Sequence, residues 1–185
     1  MQSEFEPNLE PVFELSPEAK QHIDHWLKKY PKEQKQSAVV EALFVAQAQH
    51  GGWLSEAAMN AVAVYLELAP IVVYEAASFY DMFNLKPVGK HKIAVCTNIS
   101  CLLRGSDEIV ACLKKRLGVD LGETTADGRF TLKEVECMAA CANAPMCQVD
   151  DKAYLVDLTP EKMHAVLDDL IAQDEFNEQG KGDRS

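Results

Sequence analysis

All six cysteines of this 185-residue chain lie between positions 96 and 147. Their skeleton is Cys96-x4-Cys101, a gap of thirty-five residues, then Cys137-x3-Cys141, with Cys112 inside the gap and Cys147 beyond it. Two short-spaced pairs joined by a long segment suit a four-thiolate site, with each pair on one tight loop. Soft thiolates select zinc, copper(I) or iron–sulfur clusters. Structural zinc usually takes tighter Cys-x2-Cys knuckles, and four residues inside the first pair are long for that. A Cys-x4-Cys element occurs in plant-type [2Fe–2S] ferredoxins, although their remaining spacing differs from this one. Spacing alone leaves three readings open: a [2Fe–2S] cluster, a zinc site, and disulfides or unligated core thiols.

Other chemistry is sparse. No Cys-x-x-Cys pair is present, which argues against a free thioredoxin-like oxidoreductase. No Ser/His/Asp triad and no Gly-rich phosphate loop are evident. His22, His25, His50 and His91 are scattered and read as non-ligands. Cys112 falls on the inward side of a predicted helix and reads as a small buried hydrophobe. Cys147, two residues past Pro145, reads as a buried thiol, with an alternative ligand or redox-labile neighbour as the sharper reading.

The elements that must position the cysteines follow from periodicity. Lys92 to Val95 is a predicted strand running into the Cys96–Cys101 loop, and Phe130 to Glu136 alternates as a second strand. Between them, Asp107 to Leu117 reads as a helix with Ser106 as its cap. Gln148-Val149 and Ala153–Leu155 flank Asp150-Asp-Lys152 as a hairpin, and Thr159-Pro-Glu161 opens a last helix ending near Asp174. This order suggests helices packed on a small sheet. The first half is different: helices open at Ser16-Pro17, Ser37, Ser55 and Pro70, and Lys86–Gly89 is a hinge. The domain reading is an extended arm over 1–16, a helical domain over 17–86, the cysteine domain over 87–174 and a polar, frayed tail over 175–185.

Composition narrows the class. Hydrophobic content of 48% and charged content of 25% are ordinary for a globular protein. A net charge of -11 disfavours nonspecific nucleic-acid binding, which needs lysine and arginine against phosphates. The start Met-Gln-Ser-Glu-Phe-Glu has neither basic residues nor an apolar run, so no signal peptide is expected. No stretch approaches eighteen uncharged apolar residues, so no membrane insertion is expected either. Six cysteines without an export signal suggest a reducing compartment, where ligand or core thiols are favoured over disulfides.

With these patterns in view, a family resemblance emerges. Pro87-Val-Gly-Lys90, Ile93-Ala-Val-Cys96-Thr-Asn-Ile-Ser-Cys101, the run Gly122–Leu132, and Glu136-Cys137-Met-Ala-Ala-Cys141-Ala-Asn-Ala-Pro145 are together similar to the 24-kDa subunit family of respiratory complex I. Its bacterial counterparts are the E subunits of NADH-quinone oxidoreductase. Tyr74-Glu-Ala-Ala-Ser-Phe-Tyr80-Asp-Met-Phe83 resembles the family's segment ahead of the cluster domain, and the likeness spans about residues 17–172. The resemblance implies an α/β chain with an N-terminal helical bundle followed by a thioredoxin-like [2Fe–2S] ferredoxin domain. It implies one [2Fe–2S] cluster on Cys96, Cys101, Cys137 and Cys141. It also implies a flavoprotein partner that binds FMN and NADH, further peripheral-arm subunits, and a cytoplasmic place at the bacterial inner membrane. Such a chain is expected to carry electrons, and the absence of a Gly-x-Gly-x-x-Gly fingerprint suggests that it neither binds nor oxidises NADH alone. An equivalent diaphorase subunit of an NAD-linked hydrogenase or formate dehydrogenase is a second reading, and a zinc-stabilised interaction protein a third.

Backbone amides in Thr97–Leu102 and Met138–Ala142 are the expected donors to sulfur, with the Thr97, Asn98 and Ser100 side chains as further candidates. Arg104 either favours a more negative, reduced site or pairs with an acidic residue. Two positions depart from the family pattern. Ala139 stands where glycine is frequent, which brings strain if the backbone there needs positive φ. Cys147 stands where the family usually has an aliphatic residue or methionine.

Overall fold

A computed structural model describes residues 13–182, so most of the expected N-terminal arm (1–12) and the last three residues lie outside it. The chain divides into two compact units, with the boundary between Val88 and Gly89.

The first unit is helical. Helix α1 (Pro17–Leu27) starts where the Ser16-Pro17 signal places it: Ser16 Oγ accepts from the Ala19 N–H at 3.1 Å. Helix α3 (Glu56–Leu66) is capped alike by Ser55, whose Oγ accepts from Ala58 N at 3.2 Å. Each such cap contributes about 1 kcal/mol. Ser37 does not cap. It sits in a 3₁₀ turn (Lys35–Ala38), and α2 (Val39–Gln49) begins after it without a side-chain cap. Helix α4 (Pro70–Phe79) completes the unit. Ile23, Leu43, Leu54, Val62, Leu66 and Val73 are fully buried among them, and alanines such as Ala42, Ala46 and Ala63 let the backbones approach. Trp26 is half-buried rather than core, with its ring N–H donated to His22 Nε2 at 3.2 Å.

The second unit is a four-stranded sheet with helices. Its order is β2 (Phe130–Val135), β1 (His91–Cys96), β3 (Cys147–Val149), β4 (Ala153–Leu155). The β1–β2 pair is parallel and the other two pairs are antiparallel. Parallel pairing needs a crossover. Here it contains a one-turn helix α5 (Ile99–Leu102) and then α6 (Ser106–Leu117). Ile93 and Val95 of β1, two apart and so on one face of the sheet, share a core with Ile109 and Leu113 of α6 and Met163 and Leu167 of α7 (Pro160–Gly182).

Three expectations need correction. Gly105, at φ 94, takes the cap position of α6, so Ser106 becomes the first helical residue, buried and without a hydrogen-bond partner for its hydroxyl. Only glycine adopts such a φ cheaply. The last helix does not fray at Asp174 but runs on to Gly182. Cys112 is half-buried, not buried, and its Sγ lies 3.4 Å from His164 Nε2 across the α6–α7 contact.

The β3–β4 hairpin turns through Asp150 and Asp151 at φ 54 and 56, with Lys152 N–H donating to Val149 O at 3.1 Å. Positive φ at both central residues matches the strand twist, and aspartate tolerates it. The turn is clasped to β1: Asp150 Oδ1 accepts from Lys92 N at 2.8 Å, and its Oδ2 faces His91 Nδ1 at 2.8 Å. His91 Nε2 lies 3.2 Å from Asp174 Oδ1 of α7, and Lys90 Nζ is 2.5 Å from the same oxygen. Burial pushes the Asp174 carboxyl up, but Lys90 and His91 push it down by more, so it lies below the usual carboxylate range. A carboxyl lowered by folding stabilises the native state above its ordinary pKa of about 4 and loses that contribution as pH falls through its lowered value. Asp174→Asn should therefore cost about 1–3 kcal/mol at neutral pH and flatten the fall in stability on acidification below about pH 4. Urea titrations across pH check this; a variant curve that stays parallel to the wild type would contradict it.

Candidate cluster site

The first cysteine pair is built by the C-terminal end of β1. Cys96 is its last residue, opposite Val135 of β2, and Cys96 N–H donates to Met146 O at 3.1 Å. The chain then turns into α5, which carries Cys101. Both thiols are buried, in a small cluster with Ala144 and Met146 and with Val135, Met138 and Ala140 packed around them. The Cys96 thiol points to Glu136 O at 3.5 Å.

The second pair lies on an irregular loop. Cys137 and Cys141 are exposed, and a 3₁₀ turn covers Cys141–Asn143. The loop is braced from behind: Asp157 N–H donates to Asn143 O at 2.8 Å, and Leu158 N–H to Pro145 O at 3.0 Å. Ala139 N–H donates to Cys137 Sγ at 3.4 Å, within the stretch expected to supply amide donors.

The structure brings the four candidate thiols together only in part. Cys101 and Cys96 are in direct contact and Cys141 acts on Cys101 electrostatically, while Cys137 is exposed. Among the described residues, no three His, Cys, Asp or Glu side chains are grouped closely enough to hold a metal ion as they stand. The donor set nevertheless fits a thiolate-bound metal group. Burial first, then the adjoining Cys96 thiol, push the Cys101 thiol up to about 11. A thiol so placed stays protonated at neutral pH unless a cation replaces the proton, and soft metals do that.

Cys147 belongs elsewhere. It lies fully buried in the sheet–helix core, its Sγ 3.9 Å from Met163 Sδ, and burial pushes its thiol up to about 12. The buried-thiol reading therefore holds. Thr97 Oγ1 donates to Glu134 Oε1 at 2.6 Å, so that hydroxyl is committed away from sulfur. Sequence reasoning missed His164 beside Cys112, because only the packing of α6 on α7 joins them.

Ala139 has φ 59, the left-handed region where a Cβ is strained. The conformation costs an L-residue about 1–2 kcal/mol. Ala139→Gly is expected to raise stability by about 1 kcal/mol and to leave the thiols in place. Chemical unfolding of both proteins checks it; a variant less stable than the wild type would contradict the φ assignment.

Residues 23–171 match the family described as thioredoxin-like [2Fe-2S] ferredoxin. The chain belongs to that family. Among its relatives is the E subunit of the NADH-quinone oxidoreductase of Rickettsia bellii, 52% identical over 78% of this chain and 86% of the relative. The "NADH dehydrogenase [ubiquinone] flavoprotein 2, mitochondrial" of Dictyostelium discoideum is 46% identical over 85% of this chain and 64% of the relative. Among solved structures, an NAD+-reducing [NiFe]-hydrogenase in its air-oxidised state resembles this ferredoxin with a TM-score of 0.60. The match is 20% identical and covers 75% of this chain but only 23% of the hydrogenase chain, so it speaks to fold alone. No helix among the described residues of this ferredoxin is long and apolar enough to cross a membrane.

Proposed function

We propose that this ferredoxin is the electron-transfer subunit of a respiratory NADH-quinone oxidoreductase, with one [2Fe–2S] cluster held by Cys96, Cys101, Cys137 and Cys141. The observation that carries the reading is the 52% identity to the Rickettsia bellii relative over 86% of that relative's length, joined to a buried thiol pair at the end of β1. A bound [2Fe–2S] cluster supplies one-electron chemistry next to a flavin that hydride reduces by two. The chain's own residues ligate, exclude water through Ala144 and Met146, and donate the Ala139 amide to sulfur, the factors that set a potential. FMN and NADH sit on a partner flavoprotein subunit, and other peripheral-arm subunits complete the assembly at the cytoplasmic face of the inner membrane.

The deciding experiment isolates the native complex through a tag on this chain. NADH-dependent quinone reduction in a complex containing an FMN-bearing subunit is the expected result. Hydrogen- or formate-linked NAD reduction, or a complex without flavin, would contradict it. The purified, cluster-loaded chain by itself should show no heat of NADH binding and no NADH oxidation; tight binding in calorimetry would overturn the division of labour.

A further inference from the structure

Arg104 follows Cys101 by three residues, and its backbone N–H donates to Cys101 O at 3.1 Å. Its side chain crosses to the other cysteine loop, where Nε donates to Ala144 O at 2.8 Å. Ala144 is buried in the same cluster as Cys96 and Cys101, and its own N–H returns to Cys141 O at 3.4 Å. One guanidinium thus links the loop of Cys101 to the loop of Cys141, two segments that no strand pairing joins directly. Among the described residues, none of the salt bridges includes Arg104, so the acidic-partner reading from the sequence has no support. The side chain is a guanidinium cation, and here a carbonyl, not a carboxylate, receives it.

We propose that Arg104 is the positioning residue of the cysteine site, holding the two loops in register through Ala144 O and favouring the reduced state with its unneutralised charge. The inference rests on the cluster reading given above. Four thiolates already make the site negative, and each added electron raises that charge, so a fixed cation close by stabilises the reduced form more than the oxidised one.

Two substitutions, Arg104→Gln and Arg104→Lys, separate the effects in the native complex. Iron and acid-labile sulfide are measured first in the wild type; their absence there sinks the cluster reading itself and not the role of Arg104. With a cluster present, an EPR-monitored redox titration of Arg104→Gln should show the reduced-to-oxidised ratio at a fixed potential fall about tenfold, a shift of about 59 mV for one electron. Arg104→Lys, which keeps the charge, should lie within about threefold of the wild type. Unchanged potentials in Arg104→Gln, or equal shifts in both variants, overturn the electrostatic role. A second readout needs no cluster: in the metal-free chain, alkylation of the buried Cys101 thiol should be about tenfold faster in Arg104→Gln, because its loop is no longer tied to Ala144. Equal alkylation rates would overturn the clamp.

Discussion

Cys101→Ser is expected to fold and to lose its iron. The site residue is buried and packed against Cys96, Ala144 and Met146, and serine is smaller than cysteine, so the surrounding sheet and helices keep their core. What changes is the ligand: an alcohol oxygen in place of a soft thiolate, in a pocket selected for sulfur. Loss of an outer-shell partner alone typically costs about 10–100-fold in metal affinity, so loss of a direct ligand should exceed about 100-fold. Cys137→Ser should behave alike with still less effect on stability, because that side chain is exposed. Cys112→Ala is the control: its thiol meets His164 and not the paired loops, so the visible spectrum should be retained. Iron content and EPR check the set, and an unchanged cluster in either serine variant would count against the ligand assignment.

The second large effect is expected far from sulfur, at Gly89. A Cβ there would stand 2.9 Å from both the backbone C and the backbone N of Phe130, and 3.0 Å from Arg129 C. Those are main-chain atoms at the start of β2 and just before it, and they cannot swing aside. They are also held: Gly89 N–H donates to Thr131 Oγ1 at 2.6 Å and His91 N–H to Arg129 O at 2.7 Å. Gly89→Ala must therefore push β1 from β2, at a cost of about 2–3 kcal/mol, or roughly 10–20 °C in melting temperature for a unit of this size. The displacement lies on the strand that ends at Cys96, so cluster occupancy should fall as well. Gly122→Ala offers a contrast. Its Cβ meets nothing within 4 Å, and the φ of 84 alone should cost about 1 kcal/mol. Parallel unfolding curves and iron analyses check both; a Gly89→Ala chain as stable as the Gly122→Ala chain would contradict the crowding argument.

Signals that act over a few residues were legible in the sequence. Ser16 read as a cap and is one, and Ser55, read as a helix start, caps its helix as well. Ser106 looked equivalent, but Gly105 beside it adopts φ 94 and takes the role. The one-turn helix α5 is too short to show a period, so the first cysteine pair read as loop. The polar stretch after Asp174 read as frayed because it lacks an apolar face, yet it holds no proline and the helix runs on to Gly182. Ala139 was legible conditionally: its strain depended on a φ that only the folded loop fixes. The β1–β2 and β1–β3 pairings, the His91–Asp174 contact and the Arg104–Ala144 bond join residues thirty-nine to eighty-three apart, and local pattern carries no trace of them.

The most direct test of the central claim is elemental and spectroscopic analysis of the chain purified anaerobically from its native complex. Two irons and two acid-labile sulfides per chain, with an S = 1/2 EPR signal appearing on one-electron reduction, are the expected result. One zinc per chain, or bridged thiols between Cys96, Cys101, Cys137 and Cys141, would contradict it.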